Sequence, residues 1–446
     1  MIAPARRAAI DALAVIDAGD LDIGSAIAKA RVTLSDERDR ALLLDIVTGT
    51  LRMQAALDYQ LSLRVTRPLH KLDAAVLRVL RMSAFQLIYS SRLPASAVIN
   101  DAVELTRRSG KSSAAGLANA VLRSVSRDRG SLQWPSREQI GEHLSIVHSH
   151  PRWLVDRWID RFGAAAAEAW LRFNNVPAAM ALAVNRHLTT RESLATELAA
   201  AGVKTEPTAR ARHGLRVIDG KPLGTAAFTE GRFIVQDEAS QLIGELVEPG
   251  PGATVLDLCA SPGGKTLAIS AAIGTSGTVV ATDVRPQRVR LLARTLARCQ
   301  VPNTTVVHVP ADGPLPFAPA SFDLVVIDAP CSGLGTIRRD PDIRWRRSPD
   351  DLPRFAAAQS ALLSRAADLV KPGGELLYST CSSEPEENEN VVALFLATRA
   401  DFVLERSHQT LPFRDHLEAF FGAVLNRRPE PPSRTSALNL RPEPPP

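Results

Sequence analysis

The sequence predicts an α/β fold: a mostly parallel sheet with helices on both faces, preceded by an all-α bundle and a small α/β platform. Three observations carry this. From about residue 238 to 425, short Val-, Ile- and Leu-rich runs alternate with helical stretches, the pattern of successive βαβ units. From about 5 to 127, apolar residues recur at spacings of three and four, as in ALLLDIVTGTLRMQAALDYQL and AAVLRVLRMSAFQLIYSS. Between them, residues 151–237 mix both patterns. PRWLVDRWIDRFG reads as a helix ending at Gly163, while ALAVN (181–185) and FIVQD (233–237) read as strands.

Breaks in the helical region fall at Pro68, Pro94 and the stretch 109–113, so residues 1–127 form one helical domain. Residues 128–150 lose periodicity and read as a linker. In the domain 238–426 the predicted strands are 253–259, 278–283, 304–309, 322–329 and 374–381, with 420–425 as the last. Helices fill the gaps, for example 286–299 and 355–371, the latter stopped by Pro372-Gly373-Gly374. The tail 427–446 repeats RPEPP, and proline at that density packs no core, so disorder is expected there.

With 446 residues, 45% of them hydrophobic and 23% charged, the chain is globular and long enough for two or three domains. No apolar run reaches the roughly 18 residues that would span a bilayer, and Asp11 and Asp17 interrupt the first apolar stretch as no signal peptide would. All four cysteines lie in the C-terminal half and none is in CxxC spacing, which points away from a disulfide framework and from zinc. The cytoplasm is the expected compartment, no membrane partner is expected, and a monomer is the default. The net charge is +5, and residues 1–130 hold 19 Lys and Arg against 13 Asp and Glu. A local basic excess suits a polyanion such as RNA, although arginine bias in the genome explains it equally well.

Three motifs carry chemistry. LDLCASPGGKT (256–266) leaves a strand and enters a helix. Gly263 and Gly264 let the backbone approach a ligand, and the helix start offers unpaired N–H groups. It is no P-loop, because Cys259 stands where the first glycine is needed, and no GxGxxG follows the strand. What remains is a Gly-rich turn with Asp257 before it and Asp283 ending the next strand, where an acid suits the hydroxyls of a ribose. A tight turn without a ligand is the alternative. In DLVVIDAPCSGLGTIRRDPDIRW (323–345), Asp328 and Cys331 sit at a strand end, the side on which such sheets bind ligands. A lone cysteine is more often a small buried hydrophobe. In LLYSTCSSEPEENENVV (376–392), Cys381 also ends a strand. The polar run after it promises an accessible loop opening a helix, with Glu384, Glu386, Glu387 and Glu389 as a solvated helix start.

Two cysteines at the ends of different strands, beside a nucleoside-type turn, make a more specific picture than any one of them. Carbon 5 of cytosine is a poor nucleophile toward a methyl donor. A thiolate adding to carbon 6 makes it enamine-like, and the adduct must later lose the carbon 5 proton and expel the sulfur. A target base inside a helix is out of reach, so it must be single-stranded or flipped out.

On these residues the chain resembles the RsmB (Sun/Fmu) family of bacterial ribosomal RNA 5-methylcytosine methyltransferases, over roughly residues 5–425. LCASPGGKT, DAPCSGLGT followed by RRDPDIRW, and YSTCSSEPEENENVV are similar to that family's cofactor and catalytic motifs. HSHPRWLVDRW and IVQDEASQL resemble its approach to the domain, and VTGTLR (47–52) and LANAVLR (117–123) resemble its NusB-like RNA-binding module. The resemblance implies a class I methyltransferase sheet of Rossmann-like type. It implies that Cys259, Ala260, Ser261, Pro262, Gly263, Gly264 and Lys265, with Asp283, Asp312 and Asp328, hold S-adenosylmethionine. It implies that Cys381 is the nucleophile, that Cys331 assists release, and that Asp328 hydrogen-bonds the cytosine ring. The implied substrate is 16S ribosomal RNA of the small subunit, with Arg338, Arg339, Arg344, Arg346 and Arg347 near its backbone. One departure is Glu418-Ala419, where the family usually has Asp-Gly before paired phenylalanines.

Two other readings stay open. A DNA cytosine-5 methyltransferase would use the proline-linked Cys331 as nucleophile. A non-catalytic ribosome-assembly or antitermination factor would keep the fold as a binding surface, and loss of a motif cysteine or cofactor acid would mark it.

Overall fold

The computed structural model describes residues 2–90 and 93–429, and all of the Pro-rich tail from 430 onward lies outside them. The chain forms two compact units, Met1–Pro177 with Ile337–Pro349, and Ala178–Thr336 with Asp350–Pro446.

The first unit is helical. Its seven leading α-helices are Pro4–Asp17, Ile23–Arg31, Glu37–Arg52, Gln54–Ser62, Ala74–Tyr89, Ala95–Arg108 and Ala115–Asp128. Asp22, Asp36 and Asp73 cap three of them by accepting from backbone N–H groups of the first turn. The apolar stripes read from the sequence meet in one core that includes Leu43, Ile46, Leu57, Leu80, Phe85 and Leu122. Glu37–Arg52 and Ala74–Tyr89 approach closely at Gly49, where an added Cβ would lie 1.9 Å from the Phe85 ring.

The expected linker contains the helix Ile140–Val147. With Arg152–Phe162 and Ala164–Asn175 it joins this helical unit, where Trp158 and Trp170 stack at 4.1 Å, both fully buried. The last part of the unit, Ile337–Pro349, is held by Arg344. That side chain is fully buried and donates to the Ser149 carbonyl (2.8 Å), the Asn175 Oδ1 (3.1 Å) and the Arg52 carbonyl (3.3 Å). Arg344 therefore does not face solvent as an RNA contact. Arg338 is also engaged, donating to the Val176 and Pro177 carbonyls and lying over the Phe173 ring.

The second unit holds two sheets. Strands β1 (Ala181–Val184), β2 (Lys204–Pro207), β3 (Gly214–Asp219) and β4 (Phe233–Val235) form an antiparallel sheet in the order β2-β3-β1-β4. The larger sheet contains β5 (Thr254–Leu258), β6 (Thr278–Asp283), β7 (Thr304–His308), β8 (Phe322–Asp328), β9 (Val370–Thr380), β10 (Phe402–Gln409) and β11 (Phe421–Arg427) in the order β10-β11-β9-β8-β5-β6-β7. Strands β7 to β9 along this order are parallel, and β11 inserts antiparallel between β9 and β10.

Alternate residues serve opposite faces, as the pleat requires. Val325 and Ile327 pack in one core with Leu376 and Tyr378, whereas Leu324 and Val326 pack in the other with Val255 and Leu377. The helix before β9 is Asp351–Ala367, and the chain is already extended at Val370, so Pro372-Gly373-Gly374 lies within the strand instead of stopping the helix. The chain runs from β5 to β6 and β7 on one side, then returns to β8 and β9 on the other. The switch point lies between β5 and β8, where open α/β sheets bind ligands at the strands' carboxyl ends.

Candidate active site

Cys259 to Lys265, Asp283, Asp312, Asp328, Cys331 and Cys381 all belong to the second unit, whereas the end of the second motif, from Ile337, belongs to the first. After β5 the chain turns through Cys259 at φ +61° and Gly263 at φ +111°, across a cis Ser261–Pro262 peptide, into the helix Gly264–Ile273. Glycine takes the left-handed conformation at 263 without steric cost. At Gly264 the absent side chain matters differently, since a Cβ would fall 2.8 Å from the Gln236 amide.

Beneath this turn Asp257 is almost wholly buried. Its Oδ2 accepts from Thr266 Oγ1 at 2.6 Å, while its Oδ1 has no partner. Burial pushes the carboxyl up to about 7, against the Thr266 hydrogen bond and the Lys265 charge. Lys265 Nζ lies 2.8 Å from Asp328 Oδ2 and 3.3 Å from Ser240 Oγ. Asp328 Oδ1 in turn accepts from Ser379 Oγ of β9 at 3.1 Å. A small cavity of about 70 Å³ opens here, lined by Asp257, Ala260, Ser261, Pro262, Gly264, Lys265 and Asp328 together with Gln236 and Ser240.

A larger cavity of about 240 Å³ lies at the ends of β5, β6 and β7. Its walls are mainly apolar, from Leu258, Val284, Val309, Leu315 and Leu362, with Asp283 and Asp312 as its acids and Cys259 at its edge. Asp283 accepts from the Arg285 N–H at 3.0 Å and pairs with Arg288 at 3.3 Å. Burial, with Asp283, Asp328 and Asp257 adding negative charge, pushes the Cys259 thiol up to about 12, so it stays protonated.

The chemistry of this donor set fits S-adenosylmethionine. An apolar slot with acids at its rim suits adenosine, and the unpartnered Asp257 Oδ1 suits an ammonium group.

The cysteines of the other two motifs come together. Cys331 follows β8, Cys381 follows β9, and their Sγ atoms are 3.1 Å apart. The hydrogen bond to Cys381 and burial raise the Cys331 thiol well above its usual range, and either sulfur of the pair can be the donor.

The polar run after Cys381 differs from expectation. No helix starts beside that thiol: a short 3-10 turn, Pro385–Glu387, comes first, and the α-helix is Glu389–Thr398. Glu384 and Glu387 are fully buried, not solvated. Glu387 accepts from the Ser332 N–H at 2.7 Å and Oγ at 2.5 Å, from Gln359 Nε2 at 3.1 Å, and from Ser382 Oγ. Sequence reasoning missed Glu387, Gln359 and Ser240. The only available signal was the adjacency of Ser332 and Ser382 to the two cysteines.

Three family models match successive parts of the chain: the NusB family over residues 3–127, the ferredoxin-like domain of RsmF/B-like methyltransferases over 150–223, and the 16S rRNA methyltransferase RsmB/F over 245–426. A probable ribosomal RNA small subunit methyltransferase B from Bacillus subtilis is 36% identical over 373 residues, 83% of this chain and 82% of the relative. The ribosomal RNA small subunit methyltransferase B of Pseudomonas putida is 35% identical over 394 residues, 88% of each chain. Among solved structures, the crystal structure of PH0851 superposes with a TM-score of 0.82 at 26% identity, covering 96% of this chain and 99% of that one. The chain belongs to the RsmB family of S-adenosylmethionine-dependent methyltransferases that act on small-subunit ribosomal RNA.

Proposed function

We propose that this protein methylates carbon 5 of a cytosine in 16S ribosomal RNA in the cytoplasm, with Cys381 as covalent nucleophile and Cys331 as the group that assists release. The observation that carries the reading is the 3.1 Å approach of the two sulfurs at the ends of β8 and β9, in the same unit as the Lys265–Asp328 pair. S-adenosylmethionine, when bound, supplies the methyl group. Its holders would be the turn Cys259 to Lys265 with Asp257, Asp283 and Asp312.

The chain's own residues do the rest. Cys381, having lost its proton, forms the bond from sulfur to carbon 6, and the displaced electron pair makes carbon 5 nucleophilic. Asp328, held by Lys265 and Ser379, would bind the polar edge of the ring and fix its orientation. After transfer, a base takes the carbon 5 proton. The sulfur–carbon bond breaks with its pair returning to Cys381, and the Cys331 thiol, whose sulfur lies 3.1 Å away, would assist by hydrogen-bonding that sulfur.

The test is a pair of variants assayed on ribosomal RNA with labelled cofactor. Cys381→Ala is expected to abolish methyl transfer, while Cys331→Ala accumulates a covalent protein–RNA adduct on a denaturing gel. The reverse pattern would assign the nucleophile to Cys331, as in a DNA-type enzyme. If calorimetry finds no S-adenosylmethionine binding, a non-catalytic assembly role takes its place.

A further inference from the structure

Buried carboxylates normally face a cation or a metal. Among the described residues, the hydrogen-bond partners of the Glu387 side chain are all neutral donors. Its two oxygens accept four hydrogen bonds, the full lone-pair capacity of a carboxylate. The donors are informative. The Ser332 N–H and Oγ belong to the residue after Cys331, and the Ser382 Oγ belongs to the residue after Cys381. Gln359, on the helix Asp351–Ala367, donates to Glu387 and also to the Pro330 carbonyl (3.0 Å), the residue before Cys331. Ser332 Oγ and Ser382 Oγ lie 3.2 Å apart across the carboxylate. The base of the arrangement is rigid, because the buried Tyr378 hydroxyl of β9 donates to the Glu387 carbonyl at 2.6 Å and Thr380 Oγ1 donates to Asn388 Oδ1 at 2.5 Å.

We propose that Glu387 is a positioning residue: its buried carboxylate clamps the loop after β8 to the loop after β9, and so sets the spacing of Cys331 and Cys381 on which adduct formation and adduct release depend. The proposal rests on the cysteine roles given above. Each cysteine is held through its neighbour, two of the four bonds going to Ser332 and one to Ser382. Only an acceptor with two equivalent oxygens satisfies all four donors. Glutamine at this position keeps a carbonyl oxygen for the Ser332 N–H and Gln359, but both serine hydroxyls must turn from donating to accepting, and the charge-assisted bonds that hold them to the carboxylate are lost. A displacement of about 1 Å in such a constellation costs on the order of 10²-fold in rate.

The test uses the full-length protein and single turnovers on ribosomal RNA. It measures the rate of methyl transfer, the fraction of RNA held as covalent adduct, cofactor affinity and the melting temperature. Glu387→Gln should lose about 10²-fold in rate with cofactor affinity unchanged. Two milder variants separate positioning from folding. Ser332→Ala loosens the Cys331 side and should raise the adduct fraction, whereas Ser382→Ala loosens the Cys381 side and should slow adduct formation without raising that fraction. A merely structural carboxylate would give both serine variants the same adduct fraction as the parent, with rate falling only as folded protein is lost, and that result overturns the proposal. A Glu387→Gln enzyme that folds and works within twofold of the parent overturns it as well. Cys381→Ala in the same assay keeps the outcomes apart: if it stays active the cysteine roles fall, and if it is dead while Glu387→Gln is normal, only the clamp falls.

Discussion

Burial takes water away from the Asp257 carboxyl, and only Oδ2 finds a replacement, in the Thr266 hydroxyl. Its pKa rises from the ordinary 3.8 to about 7 for that reason. The folded value lies above the unfolded one, so between about pH 4 and 7 the native state holds a proton that the unfolded chain has lost. Stability contributed at this group therefore falls as pH rises across that window and levels off above it. A cationic ligand group reaching Oδ1 reverses the balance, because it favours the carboxylate. Binding below pH 7 then releases a proton. We predict that S-adenosylmethionine binds about tenfold more tightly at pH 7 than at pH 5.5, and that Asp257→Asn weakens binding and flattens this dependence. Calorimetry at the two pH values decides it, and equal affinities would remove Asp257 from the cofactor site. The same residue-scale physics separates the cysteines. The Cys259 thiol, surrounded by three acids, is unsuited to attack, while Cys331 and Cys381 face each other.

At the scale of elements, the loop after β8 is fixed from two sides. The Gly335 N–H donates to the Cys381 carbonyl at 3.0 Å, and the Gly335 carbonyl accepts from the Ala419 N–H at 3.1 Å. A Cβ at 335 would lie 1.9 Å from the Ala419 carbonyl oxygen, a backbone atom that cannot swing aside. Gly335→Ala should therefore cost about 1–3 kcal/mol of stability and lower methyl transfer by pushing the Cys331 loop away from Cys381. Urea denaturation alongside a single-turnover assay checks both, and a variant unchanged in each would contradict the close packing. The parallel strands were legible because Val325, Val326 and Ile327 and their like are buried on both faces and give unbroken apolar runs. The place of β11 was not, since nothing in a strand's own residues states which neighbours it inserts between. Glu384 and Glu387 were misread for a related reason. An isolated charge is solvated by default, and the donors that allow Glu387 to be buried lie as far away as Ser332, 55 residues earlier. The helix Ile140–Val147 escaped notice because eight residues span barely two turns, too few to display a period. The site's glycine turn and its two cysteines were readable one by one. The 3.1 Å between the sulfurs was not, because it follows from the parallel register of β8 and β9, in which Asp328 stands beside Ser379.

Across the whole molecule, the covalent path leaves the second unit after Thr336 and returns at Asp350, so Ile337–Pro349 is part of the helical unit. Arg344 is what makes that segment native there. A buried guanidinium is expensive unless its N–H groups are used; here Nη1 alone is engaged, with the Ser149 carbonyl, the Arg52 carbonyl and Asn175 Oδ1, while Nε and Nη2 find no partner among the described residues. Trp345 adds a 2.7 Å bond from its ring N–H to the Leu51 carbonyl. Removing the guanidinium leaves those buried acceptors without that donor, each costing about 1–3 kcal/mol, while lysine puts a more strongly hydrated point charge on a stem of different reach. We therefore expect Arg344→Ala to destabilise the helical unit by about 3 kcal/mol and Arg344→Lys to recover only part of it. Hydrogen exchange resolves the location. Amides of 337–349 and of the helices Ile140–Val147 and Ala164–Asn175 should exchange faster, while those of β5, β8 and β9 should keep the parent's protection. Were 337–349 to stay as protected as in the parent, Arg344 would be a passenger in the core and would not be what holds that segment to the helical unit.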